Sequence, residues 1–355
     1  MKMIIDVMGG DNAPEETVKG AIRAMQEYGP QIEYVLVGDE QRIREIAAQE
    51  NCALDGVSIV HTDCYITMED NPVAVMRDKK DSSMAVALRM LAAGEGDAVV
   101  STGNTGALFT GAMLTVKKIK NLQRAGIAAI ISLKTPVLLL DTGANVEVTS
   151  DNLEQFAHLG SVYMEKIYGI KNPRIGLLNN GSEEHKGTPL QQEAYQKLKA
   201  DSGINFIGNV EGSTVAKGVC DVVITDGYTG NIMLKSIEGT GKFILSMLKD
   251  VFLSGAAGKL AYLLIKKPLA MMKKKIDPNE TGGAPLLGIS KPVIKAHGSS
   301  NAQAFKNAIG QAISYAQSGA IEQITQAMAE YAAKKAELKK EKKAEMTDEI
   351  SATSV

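Results

Sequence analysis

The chain has 355 residues, 45% of them hydrophobic, with no Trp and a formal net charge of -2 at pH 7. Such a length encloses a sizeable core, and the near-balanced charge leaves no global footprint for a nucleic-acid partner. Cys52, Cys64 and Cys220 are scattered without a CxxC pair beside only four His residues, so neither a disulfide framework nor a metal site is expected.

The first residues enter a strand without the basic and apolar regions of a signal peptide, and no run reaches the roughly 18 apolar residues of a spanning helix. A cytoplasmic chain is expected. Ile4-Ile5-Asp6-Val7-Met8-Gly9-Gly10-Asp11 is an apolar run ending in glycines and carboxylates. Pro14, with Glu15 and Glu16 behind it, marks a helix start that extends to Gly29-Pro30. A strand at 34–39, a helix from Glu40 to about Gln49 and a strand at 57–60 follow. This βαβαβ opening has no GxGxxG, so no dinucleotide cofactor is expected.

Arg77, Lys79 and Lys80 precede Ser82-Ser83, where a helix rich in Ala, Met and Leu begins. They read either as a solvated lead-in or as phosphate ligands at a helix N-terminus. Ala98-Val99-Val100 then runs into Ser101-Thr102-Gly103-Asn104-Thr105-Gly106, with helical spacing from Ala107. A strand-to-helix turn of this kind offers backbone N–H groups and a helix dipole to an anion; an ordinary capped turn is the plain alternative. The grammar recurs at 137–145, 175–182 and 222–231. Continuous apolar runs imply a parallel sheet covered on both faces. Loops beyond the strand C-terminal ends are then expected to converge on one cleft lined by Asn, Asp, Ser and Thr.

Lys117, Lys118 and Lys120 either complement a helix dipole or dock an acidic partner. A helix is expected over 151–168. Glu183, Glu184, His185 and Lys186 form an acid/base set or an exposed turn. The segment from Lys242 to Lys275 carries an apolar helical stripe with seven lysines from Lys249 to Lys275 and one acid, Asp250. It suits a helical hairpin on an anionic membrane surface, or one buried against the body or a second subunit. Loops at 282–288 and 297–301 return to the cleft, and a final helix spans about 302–333. The expected organisation is one α/β catalytic domain over 1–333, with 242–280 as a basic amphipathic protrusion and 334–355 as a charged flexible tail.

The motifs Asp6-Val7-Met8-Gly9-Gly10-Asp11-Asn12-Ala13-Pro14, the 101–107 loop, Asp141-Thr142-Gly143-Ala144-Asn145 and 178–184 together resemble the bacterial phosphate acyltransferases of the PlsX type. Thr225-Asp226-Gly227-Tyr228-Thr229-Gly230-Asn231, Gly282-Gly283-Ala284-Pro285-Leu286-Leu287-Gly288 and His297-Gly298-Ser299-Ser300 extend the match in order to about residue 330. Thr102, Thr281 and the pair Ala125-Gly126 depart from the family pattern. The resemblance implies a homodimeric three-layer αβα enzyme, similar to isocitrate/isopropylmalate dehydrogenases and phosphotransacetylase, with a mostly parallel sheet. It implies reversible acyl transfer from acyl carrier protein to inorganic phosphate for phospholipid synthesis. It also implies loose membrane association and hand-over to a membrane glycerol-3-phosphate acyltransferase, with no cofactor.

Phosphate is already an anionic nucleophile, so the site must hold it, place the carbonyl and stabilise an oxyanion. The catalytic candidates are His297 as proton donor to the thiolate, Lys186, Asn180 and Asn231. The substrate-binding candidates are Asp11, Lys79, Ser82, Ser101, Gly103, Asn104, Thr105, Gly106, Asp141, Asn145, Glu183, Asp226 and Thr229. Lys79, Lys186 and the 101–106 N–H groups are assigned to phosphate; Asn104, Asn145, Asn180 and Asn231 to oxyanion and substrate; Asp6, Asp11, Asp141 and Asp226 to loop orientation. A small-acyl-CoA phosphotransacetylase, an NAD-dependent decarboxylating dehydrogenase and a membrane-surface scaffold are the rival readings.

Overall fold

The computed structural model describes residues 1–132, 134–253, 255–276 and 282–353. In chain order the first half contains β1 (Lys2–Asp6), α1 (Glu15–Tyr28), β2 (Glu33–Gly38), α2 (Glu40–Gln49), β3 (Ser58–His61), α3 (Ser83–Ala93), β4 (Ala98–Ser101), α4 (Thr105–Gly111), β5 (Gly126–Ser132) and β6 (Pro136–Leu140). The second half contains α5 (Ser150–Tyr168), β7 (Arg174–Leu178), α6 (Pro189–Ala200), β8 (Asn205–Val210), α7 (Gly212–Val215), β9 (Val222–Ile224), α8 (Gly227–Leu253), α9 (Ala256–Ile276), β10 (Ala284–Leu287), β11 (Val293–Lys295), α10 (Ala302–Gln317) and α11 (Ala320–Thr353). The expected helix starts hold for clear reasons: Asp39, Ser82, Asn104 and Thr149 each accept a backbone N–H of the first turn.

The strands form one 11-stranded sheet in the order β3-β2-β1-β4-β11-β10-β5-β6-β9-β7-β8. Alternate residues of β1 face opposite layers. Met3 and Ile5 belong to the core layer that α1, α2, α5, α6, α10 and α11 cover, whereas Ile4 belongs to the layer of α3 and α4. The expected three-layer αβα architecture is therefore present. Most pairings are parallel, but β10 is antiparallel to both β11 and β5, and β5 is antiparallel to β6. These reversals have a consequence the apolar runs did not reveal. Strands β1, β2, β3, β4, β11 and β5 run one way, and β10, β6, β9, β7 and β8 the other. The loops after β1, β4 and β11 thus leave the opposite sheet edge from those after β6, β7 and β9, and of the latter Thr142 reaches the cavity that Asp11, Thr105 and His297 line.

Helix α8 joins the two edges. It starts at Gly227, whose N–H bonds to Asn145 O at 2.7 Å, and packs on β5 and β6. A Cβ at Gly230 would overlap the carbonyl oxygen of Asp141, so the α8 entry tolerates no side chain there. The expected hairpin is longer than the sequence indicates, beginning at residue 227 rather than 242. Its helices touch through Phe252 and Tyr262, with ring centroids 6.1 Å apart. Residues 277–281, including Thr281, lie outside the described residues, as do the side chains of Lys273, Lys274 and Lys275. The last helix also differs from expectation. It breaks at Ser318-Gly319 and continues as α11 through Lys334 and Lys335, which pair with Asp201 at 3.4 Å and Glu154 at 2.6 Å.

Gly230→Ala should destabilise the fold by roughly 1–3 kcal/mol or more, the usual cost of forcing atoms into a packed site. The urea midpoint measures this, and Gly239→Ala, where a Cβ meets open space, should leave it within about 0.5 kcal/mol or raise it.

Candidate active site

Between α8 and the sheet lies a cavity of about 300 Å³, lined among others by Asp11, Thr105, Asn231, Lys235, Lys295 and His297. Its lysine at the end of β11 is the group that sequence reading missed. Lys295 is 7% exposed, and its ammonium donates to Thr102 O at 3.0 Å and to Ala296 O. Among the described residues it joins no ion pair. Burial, partly offset by the Asp11 and Asp6 carboxylates, pulls its pKa down to about 8. A cation this deep carries a desolvation cost that an arriving anion relieves. A signal was available: Lys295 is the charged residue in an otherwise apolar run, Pro292-Val293-Ile294-Lys295-Ala296.

His297 stands at the exposed mouth. Packing around its ring, then the ammonium groups of Lys235 and Lys295, hold its pKa below the ordinary imidazole value. Ser299 N–H donates to Nδ1 at 3.2 Å, which puts the proton of the neutral ring on Nε2. Lys235 and Glu238, 3.1 Å apart, are two further lining residues that the sequence reading did not single out.

Buried carboxylates shape the loops around this cavity. Asp6 accepts from Ser101 Oγ at 2.6 Å and from Met8 N at 3.2 Å. Ser101 in turn accepts from Gly103 N at 3.0 Å, so that N–H points to a side chain, not to an anion. A Cβ at Gly9 would lie 2.6 Å from Gly103 Cα, so the two loops meet backbone to backbone. At the other edge, Asp141 accepts from the N–H groups of Ile127, Gly143, Ala144 and Asn145 at 2.7–3.1 Å. Burial raises the pKa of both Asp6 and Asp141 against these hydrogen bonds.

Several expected ligands are committed elsewhere. The Asn145 amide donates to Ala125 O and Asp141, and Asn104 caps α4 while donating to Met68 O and Asp70 O. Neither amide is turned to an oxyanion. Lys79 pairs with Asp70 at 2.6 Å, and Ser82 is buried as the α3 cap. Gly106 packs against Pro72, where a Cβ would come within 2.7 Å. Asp226 caps α8 through Thr229 N and Oγ1, each at 2.7 Å. Asn180 and Thr229 line a separate cavity, and Lys186 faces Glu183 at 3.8 Å. Of the expected set, Asp11, Thr105, Asn231 and His297 come together.

The profile of a family described as fatty acid synthesis protein matches residues 1–323. The phosphate acyltransferase of Thermoanaerobacterium thermosaccharolyticum is 48% identical over 313 residues, covering 88% of this chain and 92% of that protein. That of Clostridioides difficile is 43% identical over 333 residues, covering 93% and 97%. The chain belongs to the phosphate acyltransferase family. In fold it is similar to a phosphotransacetylase from Streptococcus pyogenes, at TM-score 0.59 and 17% identity over 89% of this chain and 94% of that one. A branched-chain phosphotransacylase from Enterococcus faecalis gives 0.54 and 14% over 90% and 100%. At such identities the likeness is one of fold.

Asp141→Ala would strip four backbone N–H groups of their acceptor, each costing about 1–3 kcal/mol. Thermal unfolding followed by circular dichroism should show a collapse of stability at neutral pH, well beyond that of Asp226→Ala, whose exposed cap is worth about 1 kcal/mol.

Proposed function

We propose that the protein transfers a long-chain acyl group reversibly from the thioester of an acyl carrier protein to inorganic phosphate, giving acyl-phosphate for phosphatidic acid synthesis. The observation that carries this reading is the buried Lys295 ammonium, bonded among the described residues to carbonyl oxygens and opening on a cavity shared with Asn231 and His297. It supplies an anion site in a low-dielectric setting, where a cation–phosphate contact is strong. Family membership supports the same chemistry.

A phosphate oxygen attacks the thioester carbon, forming a C–O bond and a tetrahedral oxyanion. Collapse breaks the C–S bond and expels the thiolate, and the proton of the hydrogen phosphate ends on the thiol. Asn231 and the Nε2–H of a neutral His297 face the oxyanion. Because the His297 pKa is lowered, its ring is a poor proton source at neutral pH. Lys295, at about 8, matches a thiol near 8.5 and relays this proton, giving its own to the departing thiolate and taking the one the phosphate loses, the role first expected of His297. Asp11 holds the mouth, its N–H bonded to Gly298 O at 2.9 Å.

Partner contacts belong to the same proposal. Phe243, Ile244, Met247 and Val251 expose one apolar face of α8, which suits a second copy of the chain. On α9, Leu263 and Leu264 are 69% and 79% exposed beside Lys266 and Lys267, which suits an anionic membrane surface and a membrane acyltransferase that receives the product. No helix among the described residues is long and apolar enough to cross a membrane. Of the loop lysines, Lys118 is turned inward to Leu122 O and Gln123 O, leaving Lys117 and Lys120 as the pair open to an acidic carrier.

Trapping with hydroxylamine should detect acyl-phosphate from palmitoyl-carrier protein and phosphate. Lys295→Met should lower kcat/KM by about 10²–10³-fold, the usual effect of removing one oriented charge or donor. Product from acyl-CoA with none from carrier protein would favour a phosphotransacetylase, and full activity in Lys295→Met would remove the lysine from the mechanism.

A further inference from the structure

A second cavity, about 640 Å³, opens between the ends of β7 and β8 and the start of α8, with Leu178, Asn180, Gln191, Thr229, Ile232 and Met233 in its wall. Helix α8 separates it from the first. Asn231, Leu234, Lys235 and Glu238 face the charged cavity, while Thr229, Ile232 and Met233 face the other. The division in chemistry is sharp. Every residue lining the second cavity is uncharged, so a phosphate or nucleotide finds no cation there.

Its polar groups fall into two kinds. Asn179 is tied, its Nδ2 donating to Lys186 O at 3.1 Å and its Oδ1 accepting from Asn180 N at 2.8 Å. Thr229 donates to Asp226, and Gln191 Oε1 accepts from Thr188 N at 3.1 Å. Among the described residues, the Asn180 carboxamide and the Gln191 Nε2 group have no hydrogen-bond partner. A bare hydrocarbon chain in this cavity would strip water from those groups and return nothing. A neutral chain carrying secondary amides would satisfy them while its methylenes lie on Leu178, Ile232 and Met233.

We propose that this cavity binds the neutral, amide-bearing thiol arm of the acyl donor, an arm of pantetheine chemistry, so that thioester and phosphate reach the first turns of α8 from opposite sides. The inference rests on the acyl-transfer reading above.

Ile232→Trp fills the cavity from a half-exposed position, and Asn180→Ala removes the free carboxamide from an exposed one. Titration calorimetry with free pantetheine should show binding to the wild type that each variant weakens about tenfold, the loss expected for one or two hydrogen bonds. In saturation kinetics, the KM for a palmitoyl-pantetheine thioester should rise by a similar factor, with the KM for phosphate unchanged. The KM for the shorter palmitoyl-N-acetylcysteamine thioester should not respond. Absence of pantetheine binding to the wild type, or an equal effect on both thioesters, overturns the assignment; an equal effect means the cavity holds the acyl chain. Pantetheine binding without acyl-phosphate from any thioester sinks the acyl-transfer reading instead.

Discussion

A single desolvated charge governs the centre of this molecule. Lys295 ends a buried strand, and among the described residues two carbonyl oxygens accept from its ammonium, with the Asp6 and Asp11 carboxylates acting from further off. Burying an ammonium is costly unless an anion completes the site. The proposed phosphate would be that anion, and the surroundings leave room for it. Glycines let the 9–10 and 101–103 loops approach, Asp6 fixes Ser101, and α8 roofs the space with Asn231 and Lys235.

The carboxylates divide the labour with the lysine. Asp141 and Asp6 are acceptors for backbone N–H groups and hold loops at the two edges of the sheet. Because the sheet reverses direction at β10 and β5, those edges are opposite ones, and α8 starts beside Asp141 and lines the cavity with Asp11 and His297. Its N-terminal turns therefore see both cavities, one charged and one neutral. On the proposed reading, two reactants of unlike chemistry approach one helix from different cavities.

Much of this was legible in the sequence. Buried apolar runs gave β1, β2, β4, β6, β7 and β9, and the three-layer arrangement follows from runs covered on both faces. The reversal was not legible. β10 and β11 are only four and three residues long, and β10 carries Pro285 between glycines, which reads as loop. Site residues divided in the same way. His297, Asn231, Thr105 and Asp11, singled out from loop grammar, line the Lys295 cavity. Asn104, Asn145 and Lys79, singled out in the same way, are bonded within the protein, and an amide or ammonium in a polar loop looks the same in sequence whether it caps a turn or faces a ligand. Lys295 was hidden by the opposite effect, a charge where the pattern reads as core.

The most direct test of the Lys295 assignment is the dissociation constant for inorganic phosphate, titrated calorimetrically between pH 7 and 10 in the wild type and in Lys295→Met. The account predicts wild-type affinity that falls as pH rises through about 8, because the lysine loses its proton there, and a variant that binds weakly throughout. An affinity that stays flat across this range, or a variant that binds phosphate as the wild type does, would contradict it.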